Sequence, residues 1–159
     1  MKRIVIALLL GIFLRACSSR PAASKNTYSS SSPGASGSTT SKAPAVNVGP
    51  QVLIIINNGN AQIQKDKAIS DQSAAFKAVS SDFSNVASQL QALTYPASAQ
   101  ADAKAVIHDL NKLSYDTSQA ATASLSMLQA LEQTIVSDEG TEKADSDALR
   151  SDLGLPKSA

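Results

Sequence analysis

Few side chains in this sequence can do chemistry, and their spacing does not bring them together. Cys17 is the one thiol and His108 the one imidazole. Either group becomes a nucleophile or base when a second group orients it. No other histidine exists, and the stretch after Cys17 has no thiol. No Gly-x-Ser-x-Gly elbow, Gly-rich phosphate loop or Cys-x-x-Cys-His haem motif occurs. His108, between Val106 and Leu110 and beside Asp109, reads as a surface residue. Met127 falls on an apolar face while His108 points away from it, so the two are not expected to hold haem. Asp138, Glu139, Glu142, Asp145, Asp147 and Asp152 crowd the end of the chain, with Lys143 and Arg150 beside them. Such a cluster attracts a cation or a basic partner only when its spacing is ordered, and no EF-hand pattern orders it. A solvated charged face is expected. These residues predict no catalytic group, no metal ligand and no cofactor-binding residue.

The composition points the same way. Of 159 residues, 51 are Ser or Ala, there is no Trp, and the net charge is +1. Small side chains exclude a large aromatic core, and a lone Cys excludes a disulfide scaffold. Without a basic stripe, a nucleic-acid partner is not expected. The charge is nonetheless uneven: from Asn60 on there are 8 basic and 13 acidic residues, and every acid of the chain lies in that part.

The position of Cys17 is informative. Met1-Lys2-Arg3 is a short basic start, and Ile4 to Leu14 is an apolar run of eleven residues. Crossing a bilayer takes about 20 apolar residues at ~1.5 Å each, so this run is too short to span and reads as the core of a secretory signal peptide. Leu14-Arg15-Ala16-Cys17 follows at once and resembles the lipobox of bacterial lipoproteins. Three of its four positions match, and Arg15 stands where that pattern usually has an uncharged residue. The resemblance implies cleavage between Ala16 and Cys17, with diacylglycerol on the Cys17 sulfur. It further implies a lipid-anchored place in the cell envelope, on the extracytoplasmic side of a bacterial membrane. Acyl chains at ~0.8 kcal/mol per buried CH₂ would hold the protein there.

From the lipidated Cys17 to Pro50 the sequence reads as a tether. Ser18 to Gly49 holds ten Ser, three Thr and three Pro in 32 residues, with no acid. Too few apolar groups are present to offset ~1–2 kcal/mol per residue of ordering, so disorder is expected. Val52-Leu53-Ile54-Ile55-Ile56 is β-branched and bounded by Gly49-Pro50 and Asn57-Asn58-Gly59. Residues 51–59 therefore read as an extended apolar segment laid over the helices or paired in an oligomer.

Residues 60–156 carry a helical period. Ile69, Phe76, Val79, Phe83, Val86, Leu90 and Leu93 predict one helix from Gln62, ended by Tyr95-Pro96, with only Gln72 breaking the alternation of three and four. Ala99, Ala103, Val106, Leu110, Leu113, Thr117, Ala120, Ser124, Met127 and Leu131 predict a second, with a bend near residues 114–118. Gly140 is expected to separate a last short helix that stops at Gly154-Leu155-Pro156. The sum is an all-α, small antiparallel three- or four-helix bundle behind a signal peptide (1–16) and a Ser-rich tether. Leu149-Arg150-Ser151-Asp152-Leu153-Gly154-Leu155-Pro156 on an Ala-rich helical chain resembles small actinobacterial secreted or lipoprotein-type proteins of unassigned role, a resemblance that implies no activity. The expected partners are a membrane, through the anchor, and an envelope protein or a second copy of the chain. The rival readings are an exported soluble bundle that binds a small apolar ligand, and a small membrane-active secreted protein acting through Val52 to Ile56.

Overall fold

The computed structural model describes residues 47–66 and 68–158. Ala16, Cys17 and most of the tether lie outside the described residues. Four helices run α1 Gly49–Asp66, α2 Gln72–Gln91, α3 Gln100–Ala120 and α4 Leu125–Asp152, with a 3₁₀ turn at Ala97–Ala99 leading into α3. The fold is an all-α bundle, and no strand occurs among the described residues.

The first correction falls on residues 51–59, which are helical, as is Gly49-Pro50 before them. Pro50 sits in the first turn, where its missing N–H has no intrahelical partner to lose. Val48, Val52, Ile56, Gly59 and Ile63 recur at four, four, three and four and are buried. Five aliphatic residues in a row hide that period, because Ile54 between them is 59% exposed. Burying a Val or Ile is worth ~1.5–3 kcal/mol, more than the under ~1 kcal/mol that a β-branched side chain costs a helix. Asn57-Asn58-Gly59 is likewise no turn. Gly59 is where α1 crosses α2: a Cβ there would lie 2.3 Å from Val86 Cγ2.

The single helix expected from Gln62 is two. Gln72, the position that breaks the alternation, opens α2, and Asp71 caps it by accepting a hydrogen bond from the Ala74 N–H at 2.7 Å. Ile69 and Leu93, the ends of the expected stripe, lie in the connections, while Phe76, Val79, Phe83, Val86 and Leu90 are buried as expected. Helix α3 runs straight through residues 114–118. Ser114 spends its hydroxyl on α2, and Thr117 bonds back to the Leu113 carbonyl at 2.7 Å without leaving the helix. The break comes instead at residues 121–124.

No short last helix exists, because Gly140 sits exposed in the interior of α4 with open space around it. The expected stop at Gly154 is found. Gly154 has φ +68°, its N–H bonds the Ser151 carbonyl, and the Leu155 N–H bonds the Arg150 carbonyl at 2.8 Å. This pairing is a Schellman cap, which asks for a left-handed residue and so for glycine. Leu155 then folds back on the start of α1, where a Cβ on Gly49 would lie 3.1 Å from Leu155 Cδ2.

Successive helices pack antiparallel. Ser73 on α2 donates to the Ala121 carbonyl (2.6 Å), and one heptad on, Ser80 donates to the Ser114 carbonyl (2.7 Å) while Ser114 answers to Ser80 (2.8 Å). The core gathers Val52 from α1, Phe83 and Leu90 from α2, Val106 and Leu113 from α3, and Leu149 from α4.

Candidate functional site

The charged face expected at the end of the chain is half interior. On α4, Ile135, Glu139, Glu142, Ser146 and Leu149 follow one another at four, three, four and three, and all are buried. Two acids therefore occupy positions of the apolar stripe, and Arg150 is buried beside them. Helix α3 faces them with Asp109 and Asp116, both buried, one heptad apart on a single face.

The pairing across these two helices follows one antiparallel register. Asp109 is within hydrogen-bonding reach of Asp145, and Asp116 of Asp138, a heptad along on each helix. Lys112 lies between the two rungs and forms ion pairs with Asp116 at 3.3 Å and with Asp138. Among the described residues, no amide, hydroxyl or ammonium donor reaches Asp109 Oδ2, which is buried. Its neighbour is a carboxyl, and two carboxyls bond only when one of them holds a proton. A third such pair joins α1 to α2, where Asp66 meets the buried Asp82.

Glu142 goes deepest. Its side chain lines a void of about 10 Å³ with Ile56, Asn60 and Ile63 of α1, Phe83 and Val86 of α2, and Val106 and Leu110 of α3. Burial first, then the charges of Asp109, Glu139 and Asp147, push its carboxyl up to about 8 against the opposing pull of Arg150. Burial and the Asp66 carboxyl push Asp82 up to about 6. Burial and a facing carboxyl also raise Asp109 and Asp116, the latter against Lys112. Asp147 moves the other way: hydrogen bonds from Ser158 and the Lys143 ammonium outweigh its burial and hold it below the usual range. At neutral pH, then, Glu142 is largely a neutral acid in an apolar junction. Among the described residues, no group of three or more His, Cys, Asp or Glu side chains is placed to hold a metal ion.

The remaining candidates separate. His108 is on the surface, as expected, whereas Met127, expected on the apolar face, is 50% exposed. A cleft of about 420 Å³ opens where α2 passes into α3, lined by Leu93, Tyr95, Ala103 and Ile107 with Gln91, Gln100 and Lys104. The Tyr95 hydroxyl donates to the Leu90 carbonyl at 3.0 Å, and burial pushes it up to about 12. Sequence reasoning missed the buried acids because a break at Gly140 was expected. A helix continued through Gly140 would have placed Glu139 and Glu142 on the stripe begun by Ile135.

Among the described residues, no helix is long and apolar enough to cross a membrane. Comparison with known protein families, with curated proteins and with solved structures finds no match to this chain.

Proposed function

We propose that this protein is a non-enzymatic cell-envelope lipoprotein, anchored through Cys17 on the extracytoplasmic side of a bacterial membrane. It presents its helical bundle to an envelope protein or to a second copy of itself. The observation that carries this reading is the placement of Cys17, directly after a short apolar run and the Leu14-Arg15-Ala16 triplet. The first described helix begins at Gly49, some thirty residues after Cys17. Several large apolar side chains, Tyr115, Leu125 and Met127 among them, remain exposed, as suits a surface used for contact. Cys17→Ala should move the protein from the detergent phase into the aqueous phase. Loss of label from a clickable palmitate analogue should accompany it. An unlabelled wild-type protein with its thiol free would overturn the reading.

The cleft beside Leu93 and Ile107 favours a second reading, an exported soluble bundle that takes up a small apolar ligand. Solvent extraction of the purified protein followed by mass analysis tests it, and a stoichiometric apolar compound is the supporting result. Val52 and Ile56, through which the membrane-active reading would work, are core residues of α1.

A further inference from the structure

We propose, resting on the reading of the cleft beside Leu93 and Ile107 as a ligand site, that its occupant is a small amphipathic carboxylate whose head group is held by Lys104. The cleft measures about 420 Å³, within the ~300–1,000 Å³ usual for small-molecule sites. Its lining is part apolar and part polar, and helix α3 sets the two parts side by side. Ala103 and Ile107 recur at four residues and form one row, with Gln100 and Lys104 in the next row round the helix. Leu93 and Tyr95, from the connection, are half-buried and extend the apolar part. Tyr95 is fixed there, because its hydroxyl donates to the Leu90 carbonyl at 3.0 Å and the Gln100 amide donates to the Tyr95 carbonyl at 3.4 Å.

The charge in the cleft is simple. Among the described residues that line it, Lys104 alone is charged, and it is exposed. Lys112 and Lys143 are each bound to acids, whereas no acid among the described residues is within ion-pair distance of the Lys104 ammonium. Its neighbours one turn away on α3 are Gln100, Ala101, Ile107 and His108, none of them an acid. Asp102, two positions away, lies on a different side of the helix. From Phe83 to Ala101 the chain carries no charge at all, although the part from Asn60 on is acidic in sum.

These features separate the classes of occupant. A wholly apolar molecule would take water from Lys104 and from the side-chain donors of Gln91 and Thr94, which have no partner among the described residues, and return nothing. A cation would meet the Lys104 ammonium with no acid in the lining to offset it. An anion gains a charge-assisted hydrogen bond from Lys104, while its apolar body covers Leu93, Ala103 and Ile107. One ammonium balances one negative charge, which suits a carboxylate better than a doubly charged phosphate monoester. The volume suits a small free molecule and falls well short of a two-chain lipid.

Ligand-observed NMR on the full chain in phosphatidylcholine nanodiscs, blanked against empty discs, tests this with three probes of one body: phenylpropanoate, phenylpropanol and phenylpropylammonium. The carboxylate should bind ~5-fold tighter than the alcohol, and the ammonium most weakly. Lys104→Gln, at an exposed position, should abolish the advantage of the carboxylate while alcohol binding changes less than ~2-fold. Lys104→Glu should reverse the order and put the ammonium first. Equal binding of carboxylate and alcohol by the wild type overturns the carboxylate and leaves a cleft for apolar ligands standing. Absence of binding by all three at millimolar concentration overturns both. A preference that survives in Lys104→Gln overturns the assignment of the head group. Displacement of the carboxylate by phosphatidylglycerol in the discs would make the occupant a membrane lipid and overturns the proposal too.

Discussion

Helix α3 is held on two sides by different chemistry. Towards α2, Ser80 and Ser114 exchange hydrogen bonds, and Ser73 closes the end of the helix by donating to Ala121. Towards α4, carboxyls meet carboxyls, with Glu142 neutral in the apolar junction between the rungs. Both contacts use polar groups at heptad spacing in an antiparallel register. Hydroxyls carry donor and acceptor in one group and are satisfied at any ordinary pH. A carboxyl must take its donor from elsewhere: the Lys112 ammonium supplies Asp116 and Asp138, while burial raises Asp109 and Glu142 towards their protonated forms, so pH acts on this contact and not on the serine one. In both, polar pairs between the helices fix which residues face each other, something a smooth run of Ala and Leu would leave open.

Substitutions can break or sharpen this contrast. The largest effect is expected from Glu142→Gln, which keeps the shape and removes the charge. Urea unfolding should show it more stable than the wild type by on the order of 3 kcal/mol near pH 9, with under ~1 kcal/mol of difference near pH 5. A gain of the same size at both pH values would mean that packing, not ionisation, sets the cost. Next comes the contact of α1 with α2, where Gly59→Ala drives a methyl into Val86. It should cost about 2 kcal/mol, because overpacking outweighs the ~1 kcal/mol gained in helix propensity, and pairing it with Val86→Ala should return part of the loss. Ser80→Ala should cost about 1 kcal/mol in thermal melts, equally at acid and alkaline pH; a pH-dependent cost would erase the distinction between the two sides of α3. Smallest is Gly140→Ala, outside both contacts. It should raise stability by about 0.7 kcal/mol at any pH, since the site is an open helix interior.

The α2 stripe from Phe76 to Leu90 was legible because every member of it is apolar and evenly spaced. The Schellman cap was legible too, since Gly154-Leu155-Pro156 allows little else. What escaped was every place where an unlike residue kept the period. Val52 to Ile56 concealed a helix inside a β-like run, as only Val52 and Ile56 of the five are fully buried. Gly59 and Gly140 resembled punctuation, yet one is a crossing point and the other an unremarkable interior position. Glu139 and Glu142 broke the apolar reading of α4 although they sit on its buried side. A pattern scored on hydrophobicity discards those positions. The expectation for Cys17 rests on its sequence neighbours alone, and that residue lies outside the described part of the chain.

Leu155 resting on Gly49 brings the entry and exit of the folded part to one pole. The up-and-down course puts the α2–α3 connection, with its cleft, at that same pole, and the turns at 68–71 and 121–124 at the other. Residue 47 and the cleft therefore share one pole, away from the two turns. An affinity tag inserted at residues 121–124 would lie at the pole opposite residue 47, whereas one fused after residue 158 would sit near that residue. Joining 158 to 47 with a short linker and opening the chain at 121–124 would leave all four helices whole.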